Sequence, residues 1–110
     1  MPLVNVYYRN KADREDLVFV APKLKERVAE QLSCSEKQLT PEEVSIRVVA
    51  VEGEDMIANV EVEITAHAYQ ERVEKQDEIC NAIREYITKE ASSLGEVRVW
   101  LKLCELGHSW

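Results

Sequence analysis

A chain of 110 residues, 45% hydrophobic and 32% charged, is long enough for one hydrophobic core and is read as a single domain over 1–110. A net charge of −7 with a pI near 4.9 argues against nucleic acid or an anionic membrane surface as partner, since both call for a cationic face. No charged segment followed by an apolar one opens the chain, and no apolar run approaches membrane-spanning length, so the expected location is cytoplasmic.

Met1-Pro2 leads directly into Leu3–Tyr8, an alternating run rich in β-formers that predicts a first strand. Proline gives no hydrogen bond to a ladder and belongs at a strand's first position or edge. It also carries a chemical possibility: removal of Met1 leaves Pro2 with a free secondary amine that can take and return protons. Asp13 is the expected N-cap of a following helix, in which Leu17, Val20, Leu24, Val28 and Leu32 recur at helical spacing. Pro22 should kink or restart that helix, so the segment from Pro22 onward is the expected helix. The polar connection SCSEKQLTPEE leads to a β-branched strand over Val44–Val51, and EGED turns the chain. Ala58–His67 alternates almost strictly, predicting a strand with Val60, Val62 and Ile64 on one face and Glu61, Glu63 and Thr65 on the other. Helical spacing returns at Val73, Gln76, Ile79, Cys80, Ile83, Tyr86 and Ile87, and Ser92, Ser93 and Gly95 end it. Val97–Cys104 is the expected fourth strand.

Strand-helix-strand thus occurs twice, over 2–52 and 58–105, and each half ends in a similar phrase, VSIRVV around Arg47 and EVRVW around Arg98. The expected fold class is α+β: two consecutive β-α-β units forming a four-stranded mixed sheet with two helices on one face. The other face of such a sheet is bare, which predicts self-association. Cys34, Cys80 and Cys104 are odd in number and lack CxxC spacing, so they are expected to stay reduced and buried. His67 and His108 are too far apart to suggest a metal site, and each reads by default as structural or exposed; no metal or other cofactor is expected. Trp100 reads as core or interface, and the tail GHSW as either a cover for a neighbour's pocket or a fraying end.

The Met1-Pro2 start, the doubled β-α-β order and the SIRVV strand carrying Arg47 together resemble the tautomerase superfamily in its duplicated form, over essentially the whole chain. The resemblance implies that Pro2 is the processed N-terminal proline, acting as general base or acid on a carbon beside a carbonyl. It implies that Arg47, and Arg72 in TAHAYQERVEK, bind a substrate carboxylate, with Arg98 as the counterpart of Arg47 in the second half. It further implies a homotrimer whose pockets draw residues from neighbouring chains. The position equivalent to Pro2 in the second half lies near Met56 and is internal, so one chain holds at most one amine site.

An amine base works best with its pKa near the working pH, and burial or a nearby arginine lowers an ordinary α-amino value of about 8. Arginine's planar fork takes a carboxylate or enolate in two parallel hydrogen bonds, so the expected partner is a small anionic keto acid. The bland alternatives are that Pro2 is only a start-site residue and that each arginine sits in an ion pair of an acidic surface. Two readings follow: a Pro2-dependent tautomerase or isomerase, or a noncatalytic oligomeric or small-ligand-binding module of this or a ferredoxin-like fold.

Overall fold

The computed structural model describes residues 1–52 and 55–107. Strand β1 (Leu3–Tyr8) is followed by helix α1 (Arg14–Leu32) and strand β2 (Ser45–Ala50), then by strand β3 (Val60–His67), helices α2 (Gln70–Glu74) and α3 (Gln76–Glu90) and strand β4 (Val97–Cys104). The sheet order is β2-β1-β3-β4. β1 is parallel to β2 and β3 to β4, while β1 and β3 are antiparallel at the centre. Each parallel pair is joined by a helical crossover, which parallel strands require. The result is the α+β sandwich of one mixed sheet and one helical layer.

Alternation decides which face is covered. Val4, Val6 and Tyr8 of β1, Val60, Val62, Ile64 and Ala66 of β3, and Val97 and Leu101 of β4 are buried against Leu17, Val20, Leu24, Val28 and Leu32 of α1 and Ile79, Ile83 and Ile87 of α3. Their odd-even neighbours Asn5, Tyr7, Glu61, Glu63 and Thr65 lie on the opposite face, which no element among the described residues covers. There Asn5 Nδ2 and the Tyr7 hydroxyl both donate to Glu63 Oε1 at 3.1 Å. The hydrogen bond to Glu63, then desolvation and the Glu63 charge, raise the phenol's pKa, against a smaller lowering by Asn5 and Arg47. Trp100, on the same open face, is 45% exposed and so is not a core residue of the protomer.

Helix α1 corrects the expectation drawn from Pro22: it begins at Arg14 and runs unbroken through the proline. The orphaned carbonyl of a mid-helix proline is that of the residue four positions back, here Val18, and both residues face solvent, where water satisfies it. Asp13 stands at the N-cap position but caps nothing with its side chain. The preceding tight turn is held instead by Asn10, whose Oδ1 accepts from the Ala12 amide at 3.0 Å. The helical stripe of the second half also begins differently. Arg72 is 3% exposed and Val73 is 45% exposed, so the inward face runs Arg72, Gln76, Ile79, Ile83, Ile87, with a one-residue break at Lys75 between α2 and α3. β2 and β3 are each a little shorter than expected. Of the three free cysteines only Cys34 is buried, while Cys80 and Cys104 are half-buried. Gly95 leads into β4 at φ 77, where a Cβ would run into the Asn59 side chain. Gly53 and Glu54 of the EGED turn, and His108, Ser109 and Trp110 of the tail, lie outside the described residues. Among the described residues no helix is long and apolar enough to cross a membrane.

Arg72 clasps the two halves. Its Nε donates to the Leu32 carbonyl at 2.8 Å and its Nη1 to the His67 carbonyl at 3.0 Å. One guanidinium thus satisfies the C-terminus of α1 and the end of β3. The Arg72→Met variant, which keeps the apolar stem and removes both bonds, is expected to lose about 2–3 kcal/mol of unfolding free energy in urea titration, the scale for buried hydrogen bonds to a charged group. A loss below about 0.5 kcal/mol, the level of an ordinary surface substitution, would show that the clasp is not structural.

Candidate functional site

Strand register fixes where the site lies. β1 and β2 begin at the end of the sheet where β3 and β4 finish, because Leu3 pairs with Ser45 and with Thr65, and His67 with Cys104. The residues just beyond those pairs therefore converge. They line a cavity of about 330 Å³: Pro2 before β1, Glu43 before β2, His67 at the end of β3, Tyr69 and Arg72 at α2, and Lys37 from the connection after α1, with Met1, Leu39 and Leu106 adding apolar surface.

Pro2 is buried, and its carbonyl accepts the Ser45 amide hydrogen at 3.0 Å, so the residue is anchored to the sheet through its oxygen. With Met1 attached, its nitrogen is a tertiary amide without basic character. With Met1 removed, it is a secondary amine in the cavity wall.

Arg72 lines the same cavity. Burial lowers its pKa, yet a guanidinium remains protonated at neutral pH. Its bonds go to carbonyl oxygens and its Cζ lies 4.8 Å from the centre of the Tyr69 ring, but among the described residues it has no carboxylate partner. The Tyr69 ring in turn meets that of His67 edge-on, at 4.6 Å between centroids.

Lys37 is delivered by a tightly bonded loop. Cys34 and Lys37 exchange backbone hydrogen bonds at 2.9 and 3.1 Å, and Ser33 Oγ donates to the Ala29 carbonyl while accepting from the Leu39 amide. Lys37 Nζ then lies 3.2 Å from Glu43 Oε2. The other oxygen, Oε1, accepts from the Thr40 amide at 3.3 Å and the Thr40 hydroxyl at 3.4 Å, a capping box around Pro41–Glu43. Lys37, then the Thr40 amide, hold the Glu43 carboxyl below the usual glutamate pKa, so it is ionised at neutral pH.

Of the four residues singled out in the sequence, the structure brings Pro2 and Arg72 together in one cavity. Arg47 lies instead on the open sheet face, its Nη1 donating to Asn5 Oδ1 at 3.4 Å. Arg98 is on that face too, near the other end of the sheet, paired with Glu96 at 2.6 Å. Lys37, Glu43 and Tyr69 were not singled out by their sequence pattern. The legible signal was Thr-Pro-Glu-Glu, a capping-box spacing that fixes Glu43 and hence its cation. Among the described residues no three His, Cys, Asp or Glu side chains gather as metal ligands.

No family model matches the chain, and no curated protein sequence matches it. Solved structures do. A Vibrio cholerae protein of unknown function superposes with a TM-score of 0.70 at 12% identity, over 99% of this chain and 82% of that one. A macrophage migration inhibitory factor-like protein from Entamoeba histolytica gives 0.69 at 11% identity, over 98% and 95%. A fused 4-OT described as a symmetric trimer gives 0.65 at 16% identity, over 97% and 91%. Identities this low carry the architecture alone, and that architecture is the fold these structures share with this chain.

Proposed function

We propose that this chain, once Met1 is removed, is a Pro2-dependent tautomerase or isomerase that moves a proton within an enolisable small molecule bearing a carboxylate. The observation that carries this reading is the cavity shared by Pro2 and Arg72, a buried cation with no carboxylate partner among the described residues. Buried charges are ordinarily paired, so an anion is the natural occupant. Arg72 and Lys37 hold the substrate's carboxylate. The neutral Pro2 amine takes a proton from the carbon beside the carbonyl, the electron pair moves into the enolate, and the ammonium returns the proton at the other end of the conjugated system.

Burial of Pro2 and the cations Arg72 and Lys37, which outnumber the Glu43 carboxylate in the cavity, disfavour protonation of the amine and lower its pKa from the ordinary α-amino value of about 8, leaving base at neutral pH. The ascending limb of kcat/KM against pH should therefore have an apparent pKa below about 8. A limb at or above 9 would remove Pro2 as the base.

Intact mass of untagged protein comes first. Loss of one methionine exposes the amine, and Pro2→Ala should then cost about 10²-fold or more in enol–keto conversion, the scale of a positioned general base, with assembly unchanged. Full activity in that variant would sink the proposal. A chain that retains Met1 has an acylated Pro2 nitrogen and serves instead as a noncatalytic small-ligand or oligomerisation module.

Assembly as a homotrimer is part of the proposal. It rests on the uncovered sheet face and on the trimeric description of the fused 4-OT neighbour. In such an assembly Arg47 and Arg98 would serve a pocket across a subunit boundary. Sedimentation at micromolar concentration is expected to give three times the chain mass of 12.7 kDa, and a monomer would exclude both roles.

A further inference from the structure

We infer that Tyr69 is a positioning residue for Arg72, its ring holding the guanidinium plane so that one arm, Nη2, is presented to the carboxylate of a ligand. The inference rests on the anion-binding reading of the cavity and adds which side chain aims the cation and which nitrogen makes the contact. Arg72 and Tyr69 both line the cavity, and the guanidinium carbon lies over the Tyr69 ring, 4.8 Å from its centre. Nε and Nη1 already donate to the Leu32 and His67 carbonyls, which leaves Nη2 without a hydrogen-bond partner among the described residues. Two bonded nitrogens leave the plane free to tilt about the line that joins them. An aromatic ring against the plane resists that tilt, because the cation is attracted to the ring's electron-rich face.

The ring is itself set by its surroundings. The His67 carbonyl accepts from the Tyr69 amide at 3.1 Å as well as from Arg72 Nη1 at 3.0 Å, and the Tyr69 carbonyl accepts from the Val73 amide at 3.0 Å as α2 begins. With the backbone held on both sides, only the two side-chain torsions of tyrosine remain, and the His67 ring, edge-on at 4.6 Å between centroids, limits those. The Tyr69 hydroxyl makes no hydrogen bond to Arg72, whose donors go to Leu32 and His67, so the ring rather than the phenol acts on the cation. All of these contacts lie within one chain. Arginines brought to the cavity by assembly would therefore add to the site without replacing them.

The test is an NMR titration of the chain lacking Met1 with acetate and with benzoate, which share a carboxylate and differ in having a ring that could touch the cavity wall. Tyr69→Leu should weaken both by the same factor, about fivefold, the scale of a partly buried cation–π contact. Tyr69→Phe, which keeps the ring and removes the hydroxyl, should restore both to within about twofold of the wild-type affinities. In the wild-type chain, benzoate should shift the Arg72 Nη2 protons more than the Nε proton, a reading that needs no variant to fold. Unchanged affinities in Tyr69→Leu, a loss for benzoate alone, a Tyr69→Phe chain as weak as Tyr69→Leu, or a larger shift at Nε would each overturn the positioning role while leaving the anion site standing. A wild-type chain that binds neither anion, or benzoate alone, would overturn the anion site itself, and the positioning role with it.

Discussion

The buried guanidinium of Arg72 is the interaction on which the rest of this structure turns. Helix α1 has no basic residue in its last turn, and while Ser33 satisfies the Ala29 carbonyl, the Leu32 carbonyl at the negative end of the dipole is left for another partner. Arg72, arriving from α2 in the second half of the chain, supplies both the charge and the hydrogen bond at Leu32, and with its other arm holds the end of β3 at His67. Carbonyls and a helix terminus offer only partial negative charge. The guanidinium thus makes two hydrogen bonds to carbonyls while its charge has no carboxylate partner among the described residues, a combination that ties the two halves together and underlies the anion site proposed in the adjoining cavity. Structural and functional roles are not rivals at this residue, because the same burial that makes the clasp strong makes the charge felt.

Sheet topology then determines what stands beside that charge. With β1 and β3 antiparallel at the centre and each flanked by its parallel partner, the start of the first strand is forced to the end of the sheet where the third strand finishes. Pro2 and Arg72 are distant in sequence but arrive at one cavity by register alone. The chain as a whole is acidic, at −7, so long-range attraction does not draw anions toward it. Any anion binding of the kind proposed would have to be local, made by Arg72 and Lys37 where water is displaced.

Much of the fold was legible because the strands alternate cleanly. Val60, Val62 and Ile64 fall on the covered face as their spacing requires, and β4 occupies Val97–Cys104 as its composition indicates. Pro22 misled because a rule about helix interiors was applied without knowing which face the residue would occupy; on the solvent side the lost bond is replaced by water and the packing of Leu17, Val20 and Leu24 carries the helix through. Val73 misled for the converse reason. An apolar residue at helical spacing looks like core, but here a cation holds the inward position because two carbonyls await it, a demand made by tertiary structure that no local pattern records. At the site, Pro2 and Arg72 were legible through resemblance. Lys37 and Glu43 sat in a segment that read only as a polar connection, and what makes them part of a cavity is the loop geometry that returns them to the start of β1.

The first residue of the site is also the one whose chemistry depends least on the fold. Pro2 joins the sheet through its carbonyl, which accepts from Ser45, and with Met1 attached its nitrogen, a tertiary amide, has no hydrogen to give to a ladder. Met1 is 47% exposed and lies before the first paired residue of β1, so cutting it away removes little buried surface and disturbs no ladder bond. Cleavage therefore spares the ladder of β1, while the nitrogen changes from a tertiary amide to a secondary amine in the wall of a cavity that Lys37 and Arg72 also line. On the proposed function, that single covalent event would separate a scaffold that only binds an anion from an enzyme that also moves its proton.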